Sequence, residues 1–205
     1  MIIAIDGPAG AGKSTVARAA ARELGYTYID TGALYRGIGV SVMGLGIDTK
    51  DREAVAACLP VPIDTTGAIR TPEASLAASD MGANPAVRAF LLEVQRDMAR
   101  KGNCVLDGRD IGTVVLPNAD VKIFLTAQPE ERARRRWEEL KAKGVGDPYG
   151  KVLAEVLARD DQDMNRAAAP LRPAPDSILL DTTGMDLEHS IQALLNIIQA
   201  KEDRP

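Results

Sequence analysis

Gly7-Pro8-Ala9-Gly10-Ala11-Gly12-Lys13-Ser14, followed by Thr15, fits the spacing G-x-x-x-x-G-K-[ST]. A segment of this kind turns successive backbone N–H groups inward, where they cradle phosphates. Glycine permits both the turn and the close approach of the anion. A helix beginning near Lys13 adds its positive dipole end. Lys13 can reach the outer phosphates, and Ser14 can ligate Mg²⁺. The ligand is therefore a nucleoside triphosphate, ATP or GTP. A dinucleotide fingerprint fails, because Gly10-Ala11-Gly12 would need glycine where Thr15 stands.

A second chemistry is carried by arginine. Arg36 follows Asp30-Thr31-Gly32, and Arg109 lies inside Asp107-Gly108-Arg109-Asp110. Arg132, Arg134, Arg135 and Arg136 crowd one segment, with Arg159 and Arg166 on the next. If the acceptor is itself a phosphate, the attacking oxygen is already charged and needs no strong base. The problem becomes bringing two polyanions together, which calls for several guanidinium groups around one point. Two plainer readings stay open. The Arg132–Arg136 run also suits a solvated helix face balanced by Glu130, Glu131, Glu138 and Glu139. Arg159 and Asp163 also suit a surface ion pair, worth about 0.3–0.5 kcal/mol. A calcium loop at Asp161, Asp163 and Asn165 fails, since Arg166 and Arg172 stand where glycine and glutamate are required.

These residues need a scaffold. Met1–Asp6 reads as a buried strand running into the glycine loop, and Lys13–Leu24 as a helix stopped by Gly25. Thr27–Asp30, Cys104–Leu106, Val121–Thr126 and Ser177–Asp181 read as further strands. Ala33–Met43, Asp51–Leu59, Glu73–Gly82, Ala86–Lys101, Glu130–Lys143, Tyr149–Asn165 and Leu187–Lys201 read as helices. Pro60–Pro72 is broken by prolines and a turn and reads as an irregular connection. Short apolar strands alternating with amphipathic helices predict an α/β fold, a parallel sheet with helices on both faces.

Composition removes other classes. The chain has 205 residues, about one domain, with 45% hydrophobic residues and only 3% aromatics, so its core is aliphatic. A net charge of −4 disfavours a nucleic-acid or anionic-membrane binder. The lone His189 excludes HExxH and three-histidine metal sites, and leaves no spare histidine for a serine triad. Cys58 and Cys104 cannot make a disulfide framework or a four-cysteine zinc site. No apolar stretch approaches the ~18 residues that would suggest a membrane span. The start, MIIAID, lacks a basic segment and is interrupted by Asp6, unlike a signal peptide. A reduced, cytoplasmic monomer is the expectation. A GTPase switch is disfavoured too: Asp64-Thr65-Thr66-Gly67 and Asp181-Thr182-Thr183-Gly184 fit DxxG by letters, but no NKxD occurs. Both read as turns.

Taken in order, Ile5-Asp6-Gly7-Pro8 through Ser14, Asp30-Thr31-Gly32-Ala33-Leu34-Tyr35-Arg36, Asp107-Gly108-Arg109-Asp110 through Val115, and Arg159-Asp160-Asp161 through Asn165-Arg166-Ala167 resemble bacterial cytidylate kinases over nearly the whole chain. The resemblance implies a P-loop NTPase fold with a five-stranded parallel sheet, a region binding the nucleoside monophosphate (NMP), and a lid. By position it implies a single domain, 1–205, with a core at 1–36 and 102–205, an NMP-binding region at about 37–101 and a lid at about 130–166. It implies transfer of the γ-phosphoryl group of ATP, with Mg²⁺, to CMP or dCMP, in pyrimidine nucleotide metabolism. Gly7–Thr15 and Arg132 would bind ATP. Lys13, Asp107, Arg109, Arg135 and Arg136 would serve catalysis, with Ser14 on the metal and Asp107 orienting it through water. Ser79, Arg88 and Asp110 would read cytosine, Arg159 and Asp163 the ribose, and Thr31, Arg36, Arg109 and Arg166 would complete the acceptor site. One departure stands out. The family often carries a small antiparallel sheet between positions corresponding to Arg36 and Ser79, and Pro60–Pro72 is too short to form all of it. Other small-molecule P-loop kinases, such as shikimate- or dephospho-coenzyme-A-like enzymes, have no need of a base-reading set. A nucleotide-dependent binding switch would release no ADP in response to an acceptor.

Overall fold

A computed structural model describes residues 1–67, 69 and 71–202. Five strands, β1 (Ile2–Asp6), β2 (Thr27–Asp30), β3 (Cys104–Gly108), β4 (Val121–Thr126) and β5 (Ile178–Asp181), form one sheet in the order β2-β3-β1-β4-β5. β1 runs parallel to both β3 and β4, and β4 runs parallel to β5. A central strand buried on both faces must be apolar throughout, which is why Ile3, Ala4 and Ile5 form an unbroken run. The expected parallel α/β sheet is present.

The chain divides into two units. The first comprises Met1–Tyr28 with Gly102–Pro205. Its core joins Ile3, Ile5, Val105, Ile123 and Leu125 of the sheet to Val16, Ala17 and Ala20 of α1 (Lys13–Leu24) and Leu194 and Ile198 of α8 (Leu187–Glu202). Small alanines on α1 let it lie close to the strands. α6 (Pro129–Ala142) packs against α7 (Tyr149–Asn165), and Trp137 ties the pair by donating from Nε1 to the Asp147 carbonyl at 2.9 Å.

The second unit is Ile29–Lys101. It begins earlier than the expected boundary after Arg36, because α2 (Thr31–Gly44) packs on α4 (Pro72–Ala83) and carries Arg36 with it. Gly39 permits that contact: a Cβ there would sit 2.7 Å from the Ala77 methyl. α3 (Arg52–Ala57) and α5 (Pro85–Ala99) complete the unit around Leu34, Ile38, Val42, Val55, Met81 and Leu91. Asp30, Asp51, Thr71 and Asn84 each cap a helix N-terminus. Between α3 and α4 the described residues form no strand, as the shortness of Pro60–Pro72 predicts. Asp64 accepts N–H groups of Thr66 and Gly67, and Asp181 accepts that of Thr183. Both DxxG segments are thus turns held by aspartate. Among the described residues, no helix is long and apolar enough to cross a membrane.

Candidate active site

The glycine loop connects β1 to α1 as its spacing requires. Gly7, Gly10 and Gly12 have φ of 151°, 74° and 86°, conformations that side chains rarely adopt. Gly7 is the most constrained: a Cβ there would lie 1.9 Å from the Leu125 carbonyl oxygen. Lys13 is buried and donates from Nζ to the Pro8 carbonyl at 2.7 Å. Burial, and next to it the charge of Arg109, pull the Lys13 pKa well down, with Asp107, Asp163 and Asp6 opposing. The charges of Arg109, Asp107, Asp163 and Asp6 thus all act on Lys13 at the end of the glycine loop.

Behind the loop, Asp107 at the buried end of β3 gathers hydroxyl groups. Ser14 Oγ donates to its Oδ2 at 2.8 Å, and Tyr28 OH to its Oδ1 at 2.7 Å. After β3 the chain makes a single π-helical turn, Ile111–Val115, a feature often found at functional sites. That turn is held by Asp6, whose Oδ1 and Oδ2 accept the N–H groups of Ile111 and Gly112, both at 2.7 Å. The residue that ends β1 thus fixes the turn following Arg109 and Asp110. Burial pushes the Asp6 carboxyl up to about 6, although both backbone donors pull it down. The folded chain therefore binds this proton more tightly than the unfolded one. The resulting stability is complete below the ordinary value of 3.8 and is lost as pH rises through about 6. Urea unfolding of wild type and Asp6→Asn from about pH 4 to about pH 7 should show the wild-type advantage shrinking with pH. A constant gap would contradict the burial of this carboxyl.

The arginines are held in place by carboxylates. Arg109 Nε donates to Asp163 Oδ2 at 2.8 Å, and Arg166 Nη2 to Asp110 Oδ1 at 3.3 Å. Asp163 is thus ion-paired with Arg109 in a largely buried setting and not on a solvated surface. Arg159 and Arg166 still act on Asp163 through their charge. Arg166 lies just past the end of α7 and not on its face.

On α6 the arginine run splits. Arg134 is the solvated one, pairing with Glu131 and Glu138. Arg135 reaches the segment after β5, donating to the Thr182 carbonyl at 2.7 Å and the Met185 carbonyl at 3.2 Å. Its Nη1 also lies 4.0 Å from where a Cβ on Gly12 would be. Arg136 is half-buried. Arg132, expected on ATP, is 3% exposed and commits its guanidinium to protein oxygens. It grips Asp160 with both Nη atoms, at 2.9 and 2.5 Å, and donates to the carbonyls of Ala127 and Ala9. It therefore ties the glycine loop to α6 and α7. Removing one partner of a buried pair leaves an uncompensated charge, so Asp160→Asn should lose about 3–5 kcal/mol of stability. An unchanged urea midpoint would mean that solvent reaches the pair.

In the second unit, Asp30 holds two groups at once. Its Oδ1 accepts the Ala33 N–H at 2.8 Å, and its Oδ2 accepts Arg36 Nη2 at 3.1 Å. Gly32 leaves room for this: a Cβ there would meet Arg36 Nη1 at 3.1 Å. Thr31 is buried beside it. Arg88 Nη1 lies 3.4 Å from both Tyr35 OH and the Gly82 carbonyl. Ser79 Oγ donates weakly to the Ser75 carbonyl at 3.4 Å, which leaves its hydroxyl easily redirected. Tyr28, Asp6 and Asp160 were not singled out by sequence reasoning.

Comparison with known proteins adds an independent finding. A family model described as cytidylate kinase matches residues 3–200. The chain is 49% identical over 220 aligned residues to the cytidylate kinase of Carboxydothermus hydrogenoformans, covering 99% of each. It is 49% identical over 209 residues to that of Paramagnetospirillum magneticum, covering 98% of each. Among solved structures, a gluconokinase from Sinorhizobium meliloti superposes with TM-score 0.55 at 16% identity, covering 98% of this chain and 93% of that one. A shikimate kinase from Bacteroides thetaiotaomicron gives 0.54 at 16%, covering 97% and 98%. These structural likenesses show the fold alone.

Proposed function

The chain belongs to the cytidylate kinase family, and we propose that the loop and arginines described above are the machinery of that family's reaction in this protein. The protein phosphorylates CMP with ATP, giving CDP and ADP. We assign dCMP as a second acceptor.

The acceptor oxygen belongs to a phosphate and carries its own negative charge. The residues therefore have little proton transfer to do and much charge to manage. Gly7–Thr15 hold the phosphates of ATP through backbone N–H groups, and Lys13 neutralises charge building on the transferring group. Arg109, held by Asp163, and Arg166, held by Asp110, grip phosphate oxygens from directions set before substrate arrives. Fixed donors of this kind cost no reorganisation at the moment of reaction. Arg36, preset by Asp30, holds the acceptor phosphate, and Thr31 completes that end of its site. Arg159 and Asp163 take the ribose. Ser79, Arg88 and Asp110 read the base, a carboxylate accepting from cytosine N4 and a guanidinium donating to N3 and O2. Arg135 and Arg136 belong to a lid that excludes water as a competing acceptor.

The chemistry of the oxygens present fits Mg²⁺. Among the described residues no group of three or more His, Cys, Asp or Glu is placed to hold a metal. An ion arriving on a nucleotide needs only one or two protein oxygens beside its phosphates. Ser14 fits that role, its proton given to Asp107 so that its lone pairs are free. Mg²⁺ held there by Ser14 would supply neutralisation of the negative charge on the phosphates.

The observation that carries this reading is the glycine loop itself: Gly7, Gly10 and Gly12 at positive φ lead to a buried Lys13 bonded to the Pro8 carbonyl, with Ser14 bonded to Asp107 behind it. The test is release of ADP from ATP with and without CMP. Release that depends on CMP is expected, and release indifferent to CMP would overturn the reading.

A further inference from the structure

The phenol of Tyr28 stands in a closed ring of contacts. Ser14 and Arg18 lie one turn apart on α1. Ser14 Oγ donates to Asp107 Oδ2 at 2.8 Å, Tyr28 OH donates to Asp107 Oδ1 at 2.7 Å, and the Arg18 guanidinium sits 4.9 Å above the centre of the Tyr28 ring. The ring is half-buried against the aliphatic core of its unit, so β2 packing and the cation over its face set where the hydroxyl points.

Asp107 needs such a partner. The torsion that turns a carboxylate about its own bond is broad, and rotamer preference alone does not fix it. One hydrogen bond, from Ser14, leaves that rotation loose. A second donor on the other oxygen fixes the plane. Asp107 is buried, so short charge-assisted bonds to both oxygens also offset its desolvation. With the carboxylate plane fixed, the Ser14 proton has one direction to take, and the lone pairs of Ser14 face away from Asp107.

We propose that Tyr28 is a positioning residue for the reaction: its hydroxyl orients Asp107, which in turn orients Ser14 toward the divalent cation of the nucleotide. The inference rests on the reading of Ser14 and Asp107 given above. It extends the site to a residue of β2 that acts through Asp107. Partners one shell away from a metal typically change its binding about 10–100-fold when removed.

The test is Tyr28→Phe, which keeps the ring, its packing and the cation above it and deletes only the hydroxyl. ATP affinity is measured by calorimetry in EDTA and again over a Mg²⁺ titration, with Asp107→Asn beside it. The half-saturating Mg²⁺ in kinase turnover provides a second readout. Expected for Tyr28→Phe are wild-type ATP affinity in EDTA, a folded protein with a lowered thermal midpoint from the lost bond to a buried carboxylate, and about a tenfold rise in the Mg²⁺ needed, in the same direction as Asp107→Asn. A wild-type Mg²⁺ requirement in Tyr28→Phe, with Asp107→Asn shifted, would overturn the inference and leave the reading of Asp107 standing. No shift in either variant would overturn both. Weakened ATP binding in EDTA would mark the hydroxyl as a structural part of the loop and would also overturn the inference.

Discussion

Lys13→Ala is expected to lower kcat by about 10²–10³-fold while leaving the fold intact. In the proposed reading Lys13 neutralises charge on the transferring phosphate, and its bond to the Pro8 carbonyl holds it in place. Its burial makes it costly to keep charged and pulls its pKa well down. Incoming phosphates reverse that cost, so much of the lysine's interaction is realised only with substrate present. The variant loses this stabilisation and gains a small cavity, while Asp107 and Asp163 keep their own partners in Ser14, Tyr28 and Arg109. Stopped-time turnover with a thermal unfolding curve checks the prediction. A folded Lys13→Ala with near-normal kcat would contradict the role of the loop.

Arg109→Lys keeps the charge, yet should lower kcat/KM by about 10–100-fold. In the proposed reading the guanidinium does two things at once: Nε holds Asp163 at 2.8 Å, and its planar fork presents further N–H groups, one of them only weakly engaged by the Gly108 carbonyl at 3.4 Å, to phosphate oxygens. Lysine has a single ammonium and can serve one of these partners. Losing one charge-assisted hydrogen bond removes about 1.5–3 kcal/mol, and each 1.36 kcal/mol is a factor of about ten in rate. Asp163 reports the same event. Burial pushes its carboxyl up, but the charge and hydrogen bond of Arg109 outweigh this and hold it below the ordinary value. The stability this pair supplies is therefore present above the ordinary aspartate value and is lost as pH falls below it. Equal activity in Arg109→Lys would place Arg109 outside the site.

Much of the fold was legible because its signals are local. The run Ile2–Asp6 ending in glycines, the Asn84-Pro85 break between helices and the Gly25 stop are each decided by a few neighbouring residues. The π-helical turn at Ile111–Val115 was not legible, since it exists to bring two N–H groups to Asp6, 105 positions away in the chain. In the site, the glycine loop was read from its spacing. Which arginine faces which carboxylate was not. Arg159 and Asp163 have ideal helical spacing, yet Asp163 bonds Arg109 from a different strand end, a contact made by packing. Arg132 and Arg134 are two residues apart and identical in type. One is buried under the loop and one is in solvent, a difference set by which face of α6 meets α7. Tyr28 carried no signal at all, because a tyrosine in a strand is ordinary and its partners lie on α1 and β3.

Phosphorylation of CMP is what the loop, the arginines and the base-reading residues are assembled to explain. The measurement closest to it is kcat/KM with ATP for CMP, dCMP, UMP and AMP, in wild type and in Asp110→Asn. Asp110 is buried and tethered to Arg166, so its carboxylate is fixed in place. A fixed acceptor suits the amino group of cytosine and repels the O4 of uracil, and a site built on such a bond discriminates strongly. An amide can donate to O4. Wild type should prefer CMP and dCMP over UMP and AMP, and Asp110→Asn should narrow the gap between CMP and UMP. Preference of the wild type for UMP or AMP, or turnover of none of the four, would contradict that explanation.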